Sequence, residues 1–322
     1  MKLVNKLILI VLISTLVIST SVSLFYLGSI SKQVKLIEID RVKDKTKYHF
    51  SVIVSDMEDD FYNKFEKGVN QAKEEYNVEI EINKIDTTAI KELKYMDIAI
   101  SSKVDGIIVQ PEEEIEYKEY INKAIGKEIP VITVVSDVED SDRYCFVGSD
   151  KYRLGYEAAD MIVKETKAQA NIATIIQSPR DEQRNGFQKV IDEYEGLEVV
   201  AAQKTSLSFL SGEYVTSKII RQYPEVNVIY CTSLSDTLGA AQVIVDYNKV
   251  GDVKIFGTGI NEAILEYIEK GVISGTVERN PYKIGYESVK KIYDIKEKGF
   301  KEKEIINTNI KVITIDNLSE YK

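Results

Sequence analysis

Apolar and polar positions along this chain follow two periods that take turns. Phe50 to Val54 is a β-branched run of strand type, and a loop, Ser55 to Asp60, follows it. Phe61, Phe65, Val69, Ala72 and Tyr76 then recur at helical spacing, with Asp59 or Asp60 placed to cap the helix. The alternation continues with strand Val78 to Ile85 and a helix from Thr88 to Ser102 whose buried face is expected at Ile90, Leu93, Ile98 and Ala99. Asp105 to Pro111 encloses a continuous apolar run ended by proline, the pattern of a parallel strand covered on both faces. Helix Ile115 to Ile125 and strand Val131 to Val135 come next. Val147 to Val163 then passes from a strand end through Ser149-Asp150 into a helix with Leu154, Ala158, Met161 and Ile162 on its apolar face. Either Ser149 or Asp150 can cap it.

Beyond that point the pattern starts again. Strands Ile172 to Gln177, Leu197 to Gln203, Val228 to Cys231, Lys254 to Phe256 and Ile273 to Val277 alternate with helices Glu182 to Tyr194, Gly212 to Tyr223, Asp236 to Tyr247 and Glu262 to Lys270. Asn280-Pro281 turns the chain into a last helix, Gly285 to Lys298, and Ile305 to Ile315 closes it as a strand-like run. Strands alternating with helices in two successive series predict an α/β protein with two parallel layers.

The start of the chain departs from this pattern. Leu7 to Leu27 is almost wholly apolar, carries no charge and is long enough to span a bilayer. It lacks a lipoprotein cysteine and an obvious cleavage site, so it is read as a retained N-terminal transmembrane anchor, with a cleaved signal peptide as the alternative. Gly28 to Lys47 reads as a charged juxtamembrane stalk.

Composition then removes several function classes. The chain has 322 residues and a net charge of −10, with no Lys/Arg cluster to neutralise phosphates, which argues against a nucleic-acid surface. The single histidine, His49, excludes histidine-based triads and histidine-rich metal sites. The acidic loop Asp137 to Asp142 lacks the central glycine and terminal glutamate of a calcium loop. Gly257-Thr258-Gly259 lacks the spacing of a dinucleotide fingerprint, and no Walker phosphate loop occurs. Cys145 and Cys231 lie in apolar runs and are expected as buried free thiols. No enzyme, cofactor or metal is expected. Two α/β layers support ligand binding instead, at the carboxyl ends of their strands.

Several segments in order carry a resemblance: Asp59-Asp60-Phe61-Tyr62 with Lys67-Gly68, Asp105 to Pro111, Ile129-Pro130-Val131-Ile132-Thr133, and Val147 to Asp150 with Gly155 and Ala158-Ala159. Asn185-Gly186-Phe187, Leu238-Gly239-Ala240 and Pro281 to Gly285 continue it. Together they resemble the type I periplasmic binding proteins, in the ribose-type branch related to the effector domains of LacI-family repressors. The repressors' DNA-binding helices are absent, and the apolar segment stands in their place.

That resemblance implies two Rossmann-like lobes joined by a three-crossing hinge near 147–150, 279–281 and 307–311. The first lobe would comprise residues 48–148 with 281–309 and the second 149–280 with 310–322, after a membrane segment at 1–27 and a stalk at 28–47. It also implies a small sugar in the interlobe cleft, with Phe61 and Tyr62 as the stacking pair and Asp59 as a polar residue near the sugar. Phe61 also starts the helix stripe, whereas Tyr62 lies off it. The rest of the ribose pattern is altered. Val135-Ser136 stands where an Asp-Arg pair is expected, with Asp137 just beyond. Gln183 replaces an arginine, with Arg184 one step later. Ser233-Leu234 replaces Asn-Asp, Gly259 stands where an aspartate is common, and Arg279 replaces a hinge glutamine. Asp236, Asn261 and Phe209 complete the expected ligand-binding set. Anchored sugar-binding proteins of this kind work with a membrane histidine kinase in two-component signal transduction, with xylose one recognised ligand. A pentose sensor partnered with the extracellular part of such a kinase, its lobes outside the cell membrane, is therefore the expectation, and the binding component of a sugar ABC transporter and its permease the alternative.

Overall fold

The computed structural model describes residues 47–55, 57–85, 89–111, 114–176, 182–205, 209–299 and 303–321, together with 19, 20, 23 and 26. The chain forms two units, Met1–Lys47 and Tyr48–Lys322. Of the expected membrane segment and stalk, only Ser19, Thr20, Ser23, Tyr26 and Lys47 are among the described residues, the first four of them helical, and the rest lies outside them. Among the described residues no helix is long and apolar enough to cross a membrane.

Tyr48–Lys322 contains two six-stranded sheets. The first is built from β1 (His49–Ser55), β2 (Glu79–Ile85), β3 (Gly106–Val109), β4 (Val131–Val134), β5 (Cys145–Gly148) and β11 (Glu304–Asn307), in the spatial order β11-β5-β4-β3-β1-β2, all parallel. The second contains β6 (Ala170–Ile176), β7 (Leu197–Lys204), β8 (Val228–Cys231), β9 (Lys254–Thr258), β10 (Ile273–Arg279) and β12 (Ile310–Thr314), in the order β12-β10-β9-β8-β6-β7, with only β12 antiparallel to its neighbour. The chain passes between the sheets three times, at 149–150 after β5, at Asn280 after β10, and at 308–309 between β11 and β12. Two of these crossings are bonded to each other, Thr308 N donating to Gly148 O at 2.7 Å and the Ser149 and Thr308 hydroxyls lying 3.1 Å apart.

Both sheets are apolar on both faces, which explains the unbroken hydrophobic runs. In β1, Phe50, Val52 and Val54 pack on one side of the first sheet and Ile53 on the other. In β8, Ile229 and Cys231 face one way and Val228 and Tyr230 the other. These side chains are almost wholly excluded from solvent, and each contributes about 2 kcal/mol by burial. Both cysteines are buried and free, and burial pushes the Cys145 thiol up to about 12 and the Cys231 thiol well above its usual value.

The first sheet carries α1 (Asp59–Tyr76), α2 (Ala89–Ser101), α3 (Glu114–Ile125) and α9 (Pro281–Lys298); the second carries α4 (Lys151–Thr166), α5 (Glu182–Ile191), α6 (Phe209–Gln222), α7 (Leu234–Asp246) and α8 (Glu262–Glu269). Two expectations are corrected at the level of single positions, and one of two expected caps is selected. Glu58 rather than Asp59 or Asp60 occupies the N-cap of α1. Asp150 is the cap of α4, accepting from Arg153 N at 2.9 Å. In α2, Ala99 is buried and Leu93 partly buried, as expected, with Met96 and Ile100 buried beside them; Ile98 is exposed, because a position two residues from both Met96 and Ile100 lies on the opposite side of the helix, and the Ile90 side chain lies outside the described residues.

The helices that follow the first two crossings share a sequence. α4 contains Tyr152-Arg153-Leu154-Gly155-Tyr156-Glu157-Ala158, and α9 contains Tyr282-Lys283-Ile284-Gly285-Tyr286-Glu287-Ser288. In each, the glycine lies against the backbone of a neighbouring helix. A Cβ on Gly155 would overlap Gln183 O of α5, and one on Gly285 would overlap Phe65 O of α1. Gly186 and Gly68 are the reciprocal positions. The two lobes therefore repeat one helix-crossing device.

Candidate functional site

Elements that follow the carboxyl ends of strands in the two sheets meet one another. Lobe 1 contributes the loop from β1 into α1 and the first turns of α1; lobe 2 contributes the starts of α7 and α8 and the end of β10. The first two turns of α1 reach across. Phe61 lies under the Arg279 guanidinium, 4.9 Å from the ring centroid. Asn261 Nδ2 donates to Asp60 Oδ2 at 2.9 Å while its own Oδ1 caps α8 through Ile264 N. Lys64 Nζ donates to Ile260 O at 2.6 Å and pairs with Glu278 at 3.0 Å. Glu58 accepts from two first-turn amides of α7.

The sequence-derived candidates divide by location. Phe61, Asn261 and Arg279 meet at this interface. Ser233, buried, caps α7 by accepting from Asp236 N at 3.1 Å. Tyr62 turns toward β2 instead, its ring under Lys84 at 4.4 Å and its hydroxyl on Glu66 at 2.9 Å. Burial and that carboxylate push the Tyr62 phenol up to about 12. Asp59 is almost fully exposed and pairs with Lys84 at 2.7 Å, which lowers its carboxyl below the usual range.

Asp137 is committed within lobe 1. Its carboxylate accepts from Thr133 Oγ1 at 2.7 Å and Val138 N at 2.8 Å and forms a two-point pair with the buried Arg143. Gln183 is buried and donates to the Tyr230 hydroxyl at 2.6 Å and to Thr258 Oγ1 at 3.1 Å, beneath the cleft. Arg184 lines an open groove of about 480 Å³ between α5 and β7, with Gln188, Asp192 and Glu195. Phe209 is exposed at the start of α6.

Asp236 is wholly buried in the first turn of α7. One oxygen accepts from Ser233 Oγ at 2.7 Å and Thr205 Oγ1 at 2.8 Å, tying the end of β7 to α7. The other has no partner and lies where a Cβ on Gly212 of α6 would come within 3.2 Å. Burial raises this carboxyl above its usual range, against the two hydroxyl bonds. Burial likewise raises Glu278, opposed by Lys64.

Sequence reasoning assigned no role to Glu58, Lys64, Glu278, Arg143 or Gln110, and read Asp60 as a helix cap rather than as a contact with the other lobe. The Gln110 side-chain oxygen is buried without a partner at the carboxyl end of β3. The signal for it was present, a polar residue closing an apolar run before proline. Nothing local marks Lys64 or Glu278, whose partnership spans 214 positions. Among the described residues no cluster of His, Cys, Asp and Glu suits a metal ion.

Two Rossmann-like lobes joined by three crossings, with polar groups and the Phe61 ring meeting where their strands end, define the two-lobe binding-protein class. Residues 50–299 match the family described as periplasmic binding protein domain, and the chain belongs to that family. The D-allose-binding periplasmic protein of Escherichia coli K12 is 27% identical over 183 residues, 55% of each chain. The ribose import binding protein RbsB of Bacillus subtilis 168 is 22% identical over 275 residues, 84% of this chain and 88% of its own. Among solved structures, GanP, a glucose-galactose binding protein from Geobacillus stearothermophilus, is 30% identical with a TM-score of 0.79, covering 84% of this chain and 98% of its own. The XylFII-LytSN complex matches at the same identity and coverage, with a TM-score of 0.76. The first three of these are sugar-binding proteins, not enzymes.

Proposed function

We propose that this chain binds a small neutral sugar, a pentose such as xylose or a related hexose, in the cleft between its lobes, outside the cell membrane. The observation that carries this reading is the pairing of Phe61 and Arg279 across the cleft. An aromatic face suits the apolar C–H surface of a sugar ring, and a guanidinium offers five donors in a fixed fork for its hydroxyls. Gln110, whose side-chain oxygen lacks a protein partner, supplies an acceptor from lobe 1, and Asn261 adds a second polar group from lobe 2. Asp137, Gln183, Ser233 and Asp236 brace the elements behind these groups, Asp59 and Tyr62 face Lys84 of β2, and Arg184 and Phe209 lie to the side. The three crossings form the hinge on which the lobes close.

The output of closure is a signal to a membrane histidine kinase. The likeness to the XylFII-LytSN complex supports this reading, together with the uncharged apolar segment at 7–27, which would tether the lobes to the membrane. The many import-type relatives support delivery to an ABC permease as the second reading. Purification of the full chain from its native membranes separates them: a co-purifying kinase supports sensing, and a co-purifying permease with its ATPase overturns it.

Ligand class is tested by a thermal-shift panel of D-xylose, D-ribose, D-arabinose, D-allose, D-glucose and D-galactose. A sugar at 100 times its Kd stabilises the protein by about 2.7 kcal/mol. A shift with at least one of the six is expected; no shift with any of them overturns the sugar reading.

A further inference from the structure

Glu58 holds the N-cap position of α1 yet makes no side-chain bond to its own helix. Its carboxylate crosses to lobe 2, where Oε1 accepts from Ser235 N at 2.8 Å and Oε2 from Leu234 N at 3.4 Å. The amides at the start of α7 are thereby all accounted for. Asp236 N is held by Ser233 Oγ and Thr237 N by Ser233 O, both at 3.1 Å. Leu234 and Ser235 are satisfied from the other lobe.

Asp60 repeats the arrangement two residues later. It accepts from Asn261, the residue that caps α8. Asp59, between them, turns away to Lys84. Two alternate carboxylates of one turn thus meet the starts of two helices in the opposite lobe, where the helix dipole favours negative charge. Lys64, one turn further on, adds the bonds to Ile260 O and Glu278. Every atom in these bonds belongs to the chain itself.

We propose that Glu58 and Asp60 form an acidic clasp that holds the lobes together before any ligand arrives, so that a fraction of the ligand-free protein is already closed. The proposal rests on the two-lobe reading and on no particular sugar. Its consequence is quantitative: where the closed form is the binding-competent one, apparent affinity scales with the fraction closed, so the clasp sets ligand sensitivity without touching the ligand. In the role claimed here Glu58 is a positioning residue.

The test is a distance measurement by pulsed electron paramagnetic resonance on the full chain in detergent micelles, without sugar. Spin labels are attached through Ile98→Cys in α2 and Val245→Cys in α7, both exposed sites in opposite lobes, while Cys145 and Cys231 are buried. The ligand-free protein is expected to show a short-distance population. Glu58→Ala with Asp60→Ala should lower the ratio of short to long distances about tenfold, the effect of two carboxylates at helix ends. Glu58→Gln with Asp60→Asn keeps acceptor oxygens without charge, guards against a folding defect, and should fall between. Only long distances in the unsubstituted protein, or the same distribution in the alanine variant, overturns the clasp. Because no sugar is present, failure of the sugar reading leaves this result unaffected.

Discussion

At the residue scale, the polar groups near the cleft divide into those facing the other lobe and those bracing their own. Arg143 and Asp137 belong to the second kind. Removing the buried guanidinium would leave Asp137 with a charge that only Thr133 and one amide oppose. Arg143→Ala is therefore expected to lower the unfolding free energy by about 3 kcal/mol, measured by denaturant titration. Asp236 gives a pH signature. Its carboxyl is raised by burial, so the folded state binds a proton more tightly than the unfolded state does. That stabilising contribution is complete below the ordinary carboxylate range and is lost as pH rises through the raised value. Wild type should therefore lose stability relative to Asp236→Asn as pH rises from about 3 to 7. A pH-independent difference in melting temperature would contradict it. The sequence displayed these carboxylates without their assignments. Asp59, Asp60 and Glu58 are chemically alike in one turn, and only the opposite lobe decides that two of them bridge while the third meets Lys84.

Elements were more legible than side-chain roles. The β-branched runs at 50–54, 107–109 and 228–231 lie in strands because parallel sheets covered on both faces need unbroken apolar sequence. The face of α2 was only partly legible, because it carries apolar residues on both sides: Met96 and Ile100 share the buried one, and Ile98, two residues from each, lies on the other. The glycines quoted in the family resemblance acquire a physical reason. Gly155 and Gly285 let α4 approach α5 and α9 approach α1, closer than any side chain would permit. Gly155→Ala should force those helices apart and cost about 2 kcal/mol, read as a fall in melting temperature. An unchanged melting temperature would show that the helices separate freely. The shared Tyr-(Arg/Lys)-(Leu/Ile)-Gly-Tyr-Glu sequence marks the same packing device in both lobes.

At the scale of the whole molecule, α/β alternation is visible in the sequence, whereas the cleft is made by pairs far apart in the chain. Phe61 with Arg279 and Lys64 with Glu278 connect the first helix of one lobe to the last long strand before α9. Such pairs have no local signature, so the sequence offers the residues without their partners. The expected stacking pair separates for this reason: Phe61 faces the second lobe, and Tyr62 faces the edge of its own sheet. A sugar held on Phe61 between the lobes would lose its stacking face if that ring were removed. Isothermal titration of the full chain with the six sugars, wild type beside Phe61→Ala, measures this. One-to-one binding of at least one sugar by wild type is expected, with an affinity at least about tenfold weaker in Phe61→Ala, equivalent to about 1.4 kcal/mol. Binding of equal strength by both proteins, or no binding of any of the six, would contradict it.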